Sequence, residues 1–222
     1  MRSKAKTAET RREERSPQKS EQAIPGRERI LLSAIEEFAA KGLTGARTED
    51  IAQRAGINKQ ALFHHFGSKD GLYKSVLERV LNESRTSDED RDFSSMPPRA
   101  AIEAFIELVI NRSLSDVQYR RLISDANWHE GRHLADFPSP MPALLKRIET
   151  LRSILDRGVE QGVFREGLDA LDLYITVLGV FAIRQTNSAT LSITLGADLD
   201  NPAGRERSKR NGIDLILAGI SK

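Results

Sequence analysis

TEDIAQRAGINKQALFHHFGSK, residues 48–69, is the stretch whose reading decides the fold. It reads as two short helices joined by a tight turn, followed by the start of a third. Thr48 offers a hydroxyl cap for the first, and Glu49 and Asp50 stand favourably against the positive end of the helix dipole. Gly56 breaks the chain, Asn58 caps a second helix beginning at Lys59, and Ser68 caps a third. In the middle helix Leu62 and Phe66 fall four apart on the inward face, so Lys59, Gln60, Phe63 and His64 point the other way. An outward face of cation, amide, aromatic ring and imidazole suits reading base edges in a major groove.

Lys59 and Lys69 each stand at an expected helix N-terminus, where a cation is disfavoured by roughly 0.3–1 kcal/mol. Two readings remain open. Either both ammonium groups are simply solvated, or a phosphate oxygen occupies that helix end in the working state, held by lysine and backbone N–H together.

Residues 27–81 resemble the DNA-binding domain of the tetracycline-repressor (TetR) family of bacterial transcription regulators. The resemblance rests on ILLSAIEEFAAKG at 30–42, TEDIAQRAGINKQALFHHFGSKDGLY at 48–73, and the spacing between them. Phe63 stands where the family often has tyrosine, which removes one phosphate hydrogen bond, and Ala46 stands where threonine is common. The resemblance implies an all-α chain: an N-terminal three-helix helix-turn-helix DNA-binding domain, then a C-terminal helical domain for ligand binding and dimerisation. It implies a homodimer on an inverted-repeat operator of double-stranded DNA, an unidentified small-molecule effector, no cofactor and no enzymatic activity. Lys59, Gln60, Phe63 and His64 are then the base-edge or groove contacts, and Arg47, Thr48, His65 and Lys69 the phosphate contacts. Asn58, at the start of the reading helix, completes the expected DNA-binding set.

Composition narrows the rest. With 39% hydrophobic and 30% charged residues, the 222-residue chain has the make-up of a soluble globular protein. A net charge of +2 means that any attraction to nucleic acid must be local. The absence of cysteine excludes disulfides, cysteine nucleophiles and thiolate metal sites. The longest nearly apolar run, Ile175 to Ile183, is far short of the roughly 20 residues a bilayer span needs. No apolar secretory segment stands at the N-terminus, so the expected location is the cytoplasm, with no membrane partner.

Three segments follow along the chain. Residues 1–25 hold seven cations against four glutamates, net +3, with few apolar side chains, and read as a disordered basic arm that can also follow DNA phosphates. Residues 26–72 form the DNA-binding domain, whose first helix (27–41) offers Leu31, Ala34, Ile35 and Phe38 to Ile51, Leu62 and Phe66 before Gly42 stops it. Residues 73–222 form the regulatory and dimerisation domain. A helix over 69–85 carries an apolar stripe wide enough for two partners, head and body, and so serves as the lever between them. The polar 86–99 stretch reads as a linker, and Pro97 and Pro98 suit the start of the next helix (98–113). Further helices are expected at 116–131, 142–161, 169–186 and 203–220, with a loop over 187–204 that holds one turn of helix near 189–195. The helix at 169–186 is apolar nearly all round and therefore buried on more than one side; with the last helix it is the expected dimer interface.

His129–His133 reads H-E-G-R-H, a literal match to the zincin pattern, in which two histidines four apart on one helix face share zinc and Glu130 activates water. Gly131 weakens that helix, Arg132 brings a fixed cation to the metal, and the third ligand is unassigned, with Glu149 and Glu160 candidates only by distance along the chain. Helix-end packing is the simpler reading, and no metal is expected. The single tryptophan, Trp128, fills either the core or a subunit contact, or else walls an effector pocket with Phe105, Leu108, Tyr119 and Tyr174, where Asn127, His129 or Arg132 supply polar selectivity. A DNA-binding regulator, a zinc hydrolase and a helical interaction module are thus the three classes in competition. Twofold symmetry favours the first independently of resemblance: one short helix reads too few bases, and a dimer doubles them on a palindrome.

Overall fold

In the first helix, Leu31, Ala34, Ile35 and Phe38 recur at helical spacing and lie buried against Ile51, Leu62 and Phe66, as the sequence pattern requires. The computed structural model describes residues 24–83, 91–135, 137, 142–199 and 201–222. Among them the chain forms α1 (Gly26–Gly45), α2 (Thr48–Arg54), α3 (Lys59–Phe66), α4 (Lys69–Glu83), α5 (Pro98–Ser115), α6 (Val117–Trp128), α7 (Pro142–Glu160), α8 (Ala170–Thr186), α9 (Ser188–Leu195) and α10 (Pro202–Ile220). A 3-10 turn at Arg132–Leu134 separates α6 from α7. Among the described residues the protein is all-α; one isolated bridge pairs Phe164 with Ser221. All but the last two residues of the expected basic arm, 1–25, lie outside the described residues.

Two apolar clusters organise the helices. The head cluster joins α1–α4, from Ile30 to Val80, and also takes in Leu122 and Ala126 of α6. The body cluster joins α5, α7, α8 and α10, with Phe105, Leu151, Tyr174 and Leu217 among its buried members. Residue 72 is not a packing boundary, because Tyr73, Val76, Leu77 and Val80 are buried in the same cluster as α1. α4 meets α1 on one side and α6 with its 3-10 turn on the other. The expected linker is also partly core: Phe93 is buried in the body, and Arg157 of α7 donates to the carbonyls of Phe93, Ser94 and Met96 at 2.8–3.0 Å.

Three local expectations change. α6 ends at Trp128 instead of running to 131, since Glu130 and Gly131 take positive φ values of 56° and 67°. Residues 188–195 form a two-turn helix, not a loop, whose Thr194 hydroxyl is satisfied by the Thr190 carbonyl at 2.9 Å. α8 is buried on one face only; Leu171, Ile175 and Ile183 on the other are each about half exposed in the single chain.

α6 is fastened to the head at one carboxylate. The α1 backbone leaves helical geometry at Gly42 (φ 68°, ψ 175°), a conformation open to glycine, and a Cβ there would stand 2.6 Å from Asp125 Oδ1. Past that break the Leu43 N–H donates to Asp125 Oδ2 at 3.1 Å, and the buried Tyr73 hydroxyl donates to the same oxygen at 2.6 Å. Burial, and then the carboxylate itself, push the Tyr73 hydroxyl well above its ordinary range, so it remains a donor. Asp125→Ala removes the acceptor of the Leu43 N–H and leaves the Tyr73 hydroxyl only the more distant Leu122 carbonyl at 3.5 Å; it should cost about 2 kcal/mol, lowering the melting temperature by roughly 4–8 °C in a thermal scan. Asp125→Asn, which keeps an acceptor oxygen, should recover part of that loss.

Candidate nucleic-acid interface and effector cleft

The turn between α2 and α3 is built from local rules. Gly56 adopts φ 65°, and the Asn58 side chain accepts the Ala61 N–H at 2.8 Å, capping α3. Ser68 likewise accepts the Gly71 N–H at 2.9 Å at the start of α4. α2 differs from expectation: Arg47 is its cap residue without a side-chain bond, and Thr48 is its first helical residue. Thr48 is buried, its hydroxyl directed to Glu49 at 3.3 Å, because a side chain already inside the helix no longer faces the free N–H groups. Glu37, buried on α1, pairs with Lys41 at 2.6 Å and with Arg54 of α2 at 3.4 Å, which binds the two helices together.

The inward pair Leu62 and Phe66 is buried, and Asn58, Lys59, Gln60, His64 and His65 are exposed along α3, with Phe63 half-buried. Arg47 is exposed beside them. Neither lysine is simply solvated. Lys59 is ion-paired with Glu49 of α2 and has its ammonium 5.6 Å from the Phe63 ring centre. Lys69 donates to the Thr44 carbonyl at 3.2 Å, tying the start of α4 to the end of α1. The hydrogen bond from Lys59 is the main cause that holds the Glu49 carboxyl below its usual range.

The expected effector residues do not converge. Phe105 and Tyr174 are buried and Leu108 half-buried in the body cluster, with the Tyr174 hydroxyl accepting from Arg147 at 3.2 Å. Tyr119 packs instead on the head cluster. Asn127 and Arg132 are exposed, and Trp128 is 86% exposed, so it is neither core nor pocket wall in the single chain. The break after Trp128 removes the zincin scaffold, since the two histidines no longer share a helix. His129 Nδ1 donates to the Asp125 carbonyl at 2.8 Å, and His133 Nε2 donates to Asp70 at 3.1 Å. His133 thereby ties the 3-10 turn to α4, while His129 closes the end of α6.

A cleft of ≈ 670 Å³ lies elsewhere, between α5, α6, α8, α9 and α10. Ile110, Val180 and Phe181 give it apolar walls, and Arg120, Arg184 and Arg205 supply cations. Sequence reading missed it. The basic character of 205–210 is visible in the chain, but its meeting with Arg120 and Arg184 depends on the packing of three helices.

Residues 30–76 match the family described as "Bacterial regulatory proteins, tetR family", and residues 98–216 match the "Tetracyclin repressor-like, C-terminal domain". The chain belongs to the TetR family. Among its relatives, the transcriptional repressor NicS of Pseudomonas putida is 24% identical over 92% of this chain and 96% of its own. The transcriptional activator FasR of Mycolicibacterium smegmatis is 34% identical over 56% of this chain and 59% of its own. The crystal structure of the TetR-family regulator PfmR from Thermus thermophilus superposes with a TM-score of 0.61 at 27% identity, over 90% of this chain and 99% of PfmR. These matches are to transcriptional regulators, not enzymes, and the zinc-hydrolase reading is set aside. No helix among the described residues is long and apolar enough to cross a membrane.

The Glu49–Lys59 pair lies exposed beside the outward side of α3. Glu49→Gln should free the lysine for phosphate, raising duplex affinity a few-fold and steepening its salt dependence by up to about one counterion. Fluorescence anisotropy across a salt series checks both. Protonating Glu49 should act the same way, but only below the usual carboxylate range, because Lys59 holds its titration down.

Proposed function

We propose that this chain is a cytoplasmic, homodimeric repressor that binds a palindromic operator through α3 and responds to a small-molecule effector held in its C-terminal helices. The observation that carries the reading is the division of α3: Leu62 and Phe66 fasten it to the head core, while Lys59, Gln60, His64 and His65 stand exposed along the other side. In this reading Lys59, Gln60, Phe63 and His64 meet base edges or the groove, and Asn58 orders the helix start. Arg47, His65 and Lys69 meet phosphates. Thr48, buried, would contribute through its backbone.

Dimerisation would use α8 and α10. Leu171, Ile175 and Ile183 on α8 and Leu215 on α10 are large apolar side chains left open to solvent, a surface that a second copy could cover. The head (26–72) and the regulatory part (73–222) act as separate functions in this reading, although α4 beyond residue 72 and α6 lend buried side chains to the head cluster. An effector need only favour the state with the wrong head spacing; roughly 1.4 kcal/mol of preference shifts the equilibrium tenfold.

Gln60→Ala should flatten discrimination between operator and mutated operators, because an amide reads a base edge. Lys69→Ala should weaken both similarly and lower the salt slope by about one. Titration of operator and scrambled duplex at several salt concentrations separates the two. Equal loss of discrimination in both variants would overturn the assignment.

A further inference from the structure

The cleft described above is not a neutral cavity. Its volume of ≈ 670 Å³ falls within the roughly 300–1,000 Å³ usual for small-molecule sites. Arg184 and Arg205 face Phe181, Val180 and Ile110 within one enclosure. The cations there are not equally compensated. Lys209 is paired with Glu107 at 3.1 Å, and the cleft's own carboxylate, Glu206, lies 3.8 Å from Arg210. Among the described residues Arg184 has only a carbonyl for a partner, donating to Leu199 at 2.6 Å, and its buried Nε meets no acceptor among them. Arg205 has no ion pair among the described residues. Burying a guanidinium donor without an acceptor is costly, and an anion is the ligand that removes the cost.

We propose that this cleft binds an organic anion, an apolar body carrying a carboxylate or phosphate, with Phe181 and its apolar neighbours taking the body and Arg184 and Arg205 the charged end. Arg forks match both oxyanions bidentately, which favours such groups over a neutral or cationic ligand. The site also has a mechanical route to the head. Val117 and Arg120 on its wall begin α6, and two turns further along the same helix Asp125 holds Leu43 and Tyr73. That an occupant alters DNA binding rests on the proposed reading of the chain as an effector-responsive regulator; the binding itself does not.

The test is calorimetric titration of the full chain with sodium decanoate, decyl phosphate, decan-1-ol and inorganic phosphate, in parallel with operator binding. Both decyl anions should bind, with decanol and inorganic phosphate each weaker by about tenfold or more, the loss of one charge-assisted contact or of the apolar body. Arg205→Glu changes an exposed side chain and should keep the fold while weakening the decyl anions by about tenfold and leaving decanol unaffected. Arg184→Ala should do the same, although it also gives up the bond to Leu199. Decanol binding as tightly as decanoate, no decyl anion binding, or an unchanged Arg205→Glu affinity would each overturn the proposal. Anion binding by a chain that ignores operator DNA would uphold the site and sink the regulatory reading, whereas operator binding without anion binding would do the reverse.

Discussion

The Asp125 carboxylate is the point at which α6 is fastened to the head. One oxygen accepts from the backbone of α1 just past its break and from the buried hydroxyl of α4. A single group on α6 thus fixes two helices of the head at once. Charged acceptors strengthen such bonds, and partial burial limits competition from water. Gly42 makes the approach possible, because any side chain there would meet the carboxylate. The histidines at the end of α6 extend the same junction, one toward Asp125 and one toward Asp70.

The reading surface inherits its geometry from this support. An isolated helix of eight residues is too short to persist in water. α3 holds its shape because Asn58 caps it and because Leu62 and Phe66 are sealed into the head cluster. That cluster includes Leu122 and Ala126, so a shift of α6 cannot leave α1 and α4 untouched. The helix has cleft residues at its start and head residues at its end, so it runs directly between the cleft and the core that supports α3.

Much of this was legible in the chain. The inward pair Leu62 and Phe66, the caps at Asn58 and Ser68, and the stop at Gly42 follow from rules that act over three or four residues, and the structure obeys them. Family membership followed from the same stretch. Thr48 departs from the rule by one position: the helix begins one residue earlier than a capping threonine would require.

What only the tertiary structure decided involves residues far apart in sequence. The expected effector residues do not share one pocket, because helical periodicity places side chains on a face but does not say which neighbour that face meets; Tyr119 went to the head, Phe105 and Tyr174 to the body, and Trp128 to solvent. The basic cleft and the Asp125 corner were equally invisible, since Arg120, Arg184 and Arg205, or Leu43, Tyr73 and Asp125, share no local pattern. The sequence by itself determined the helices and the helix-turn-helix, because capping, periodicity and glycine geometry are local. The sites that join one helix to another were decided by packing, because long-range contacts depend on how whole faces fit together.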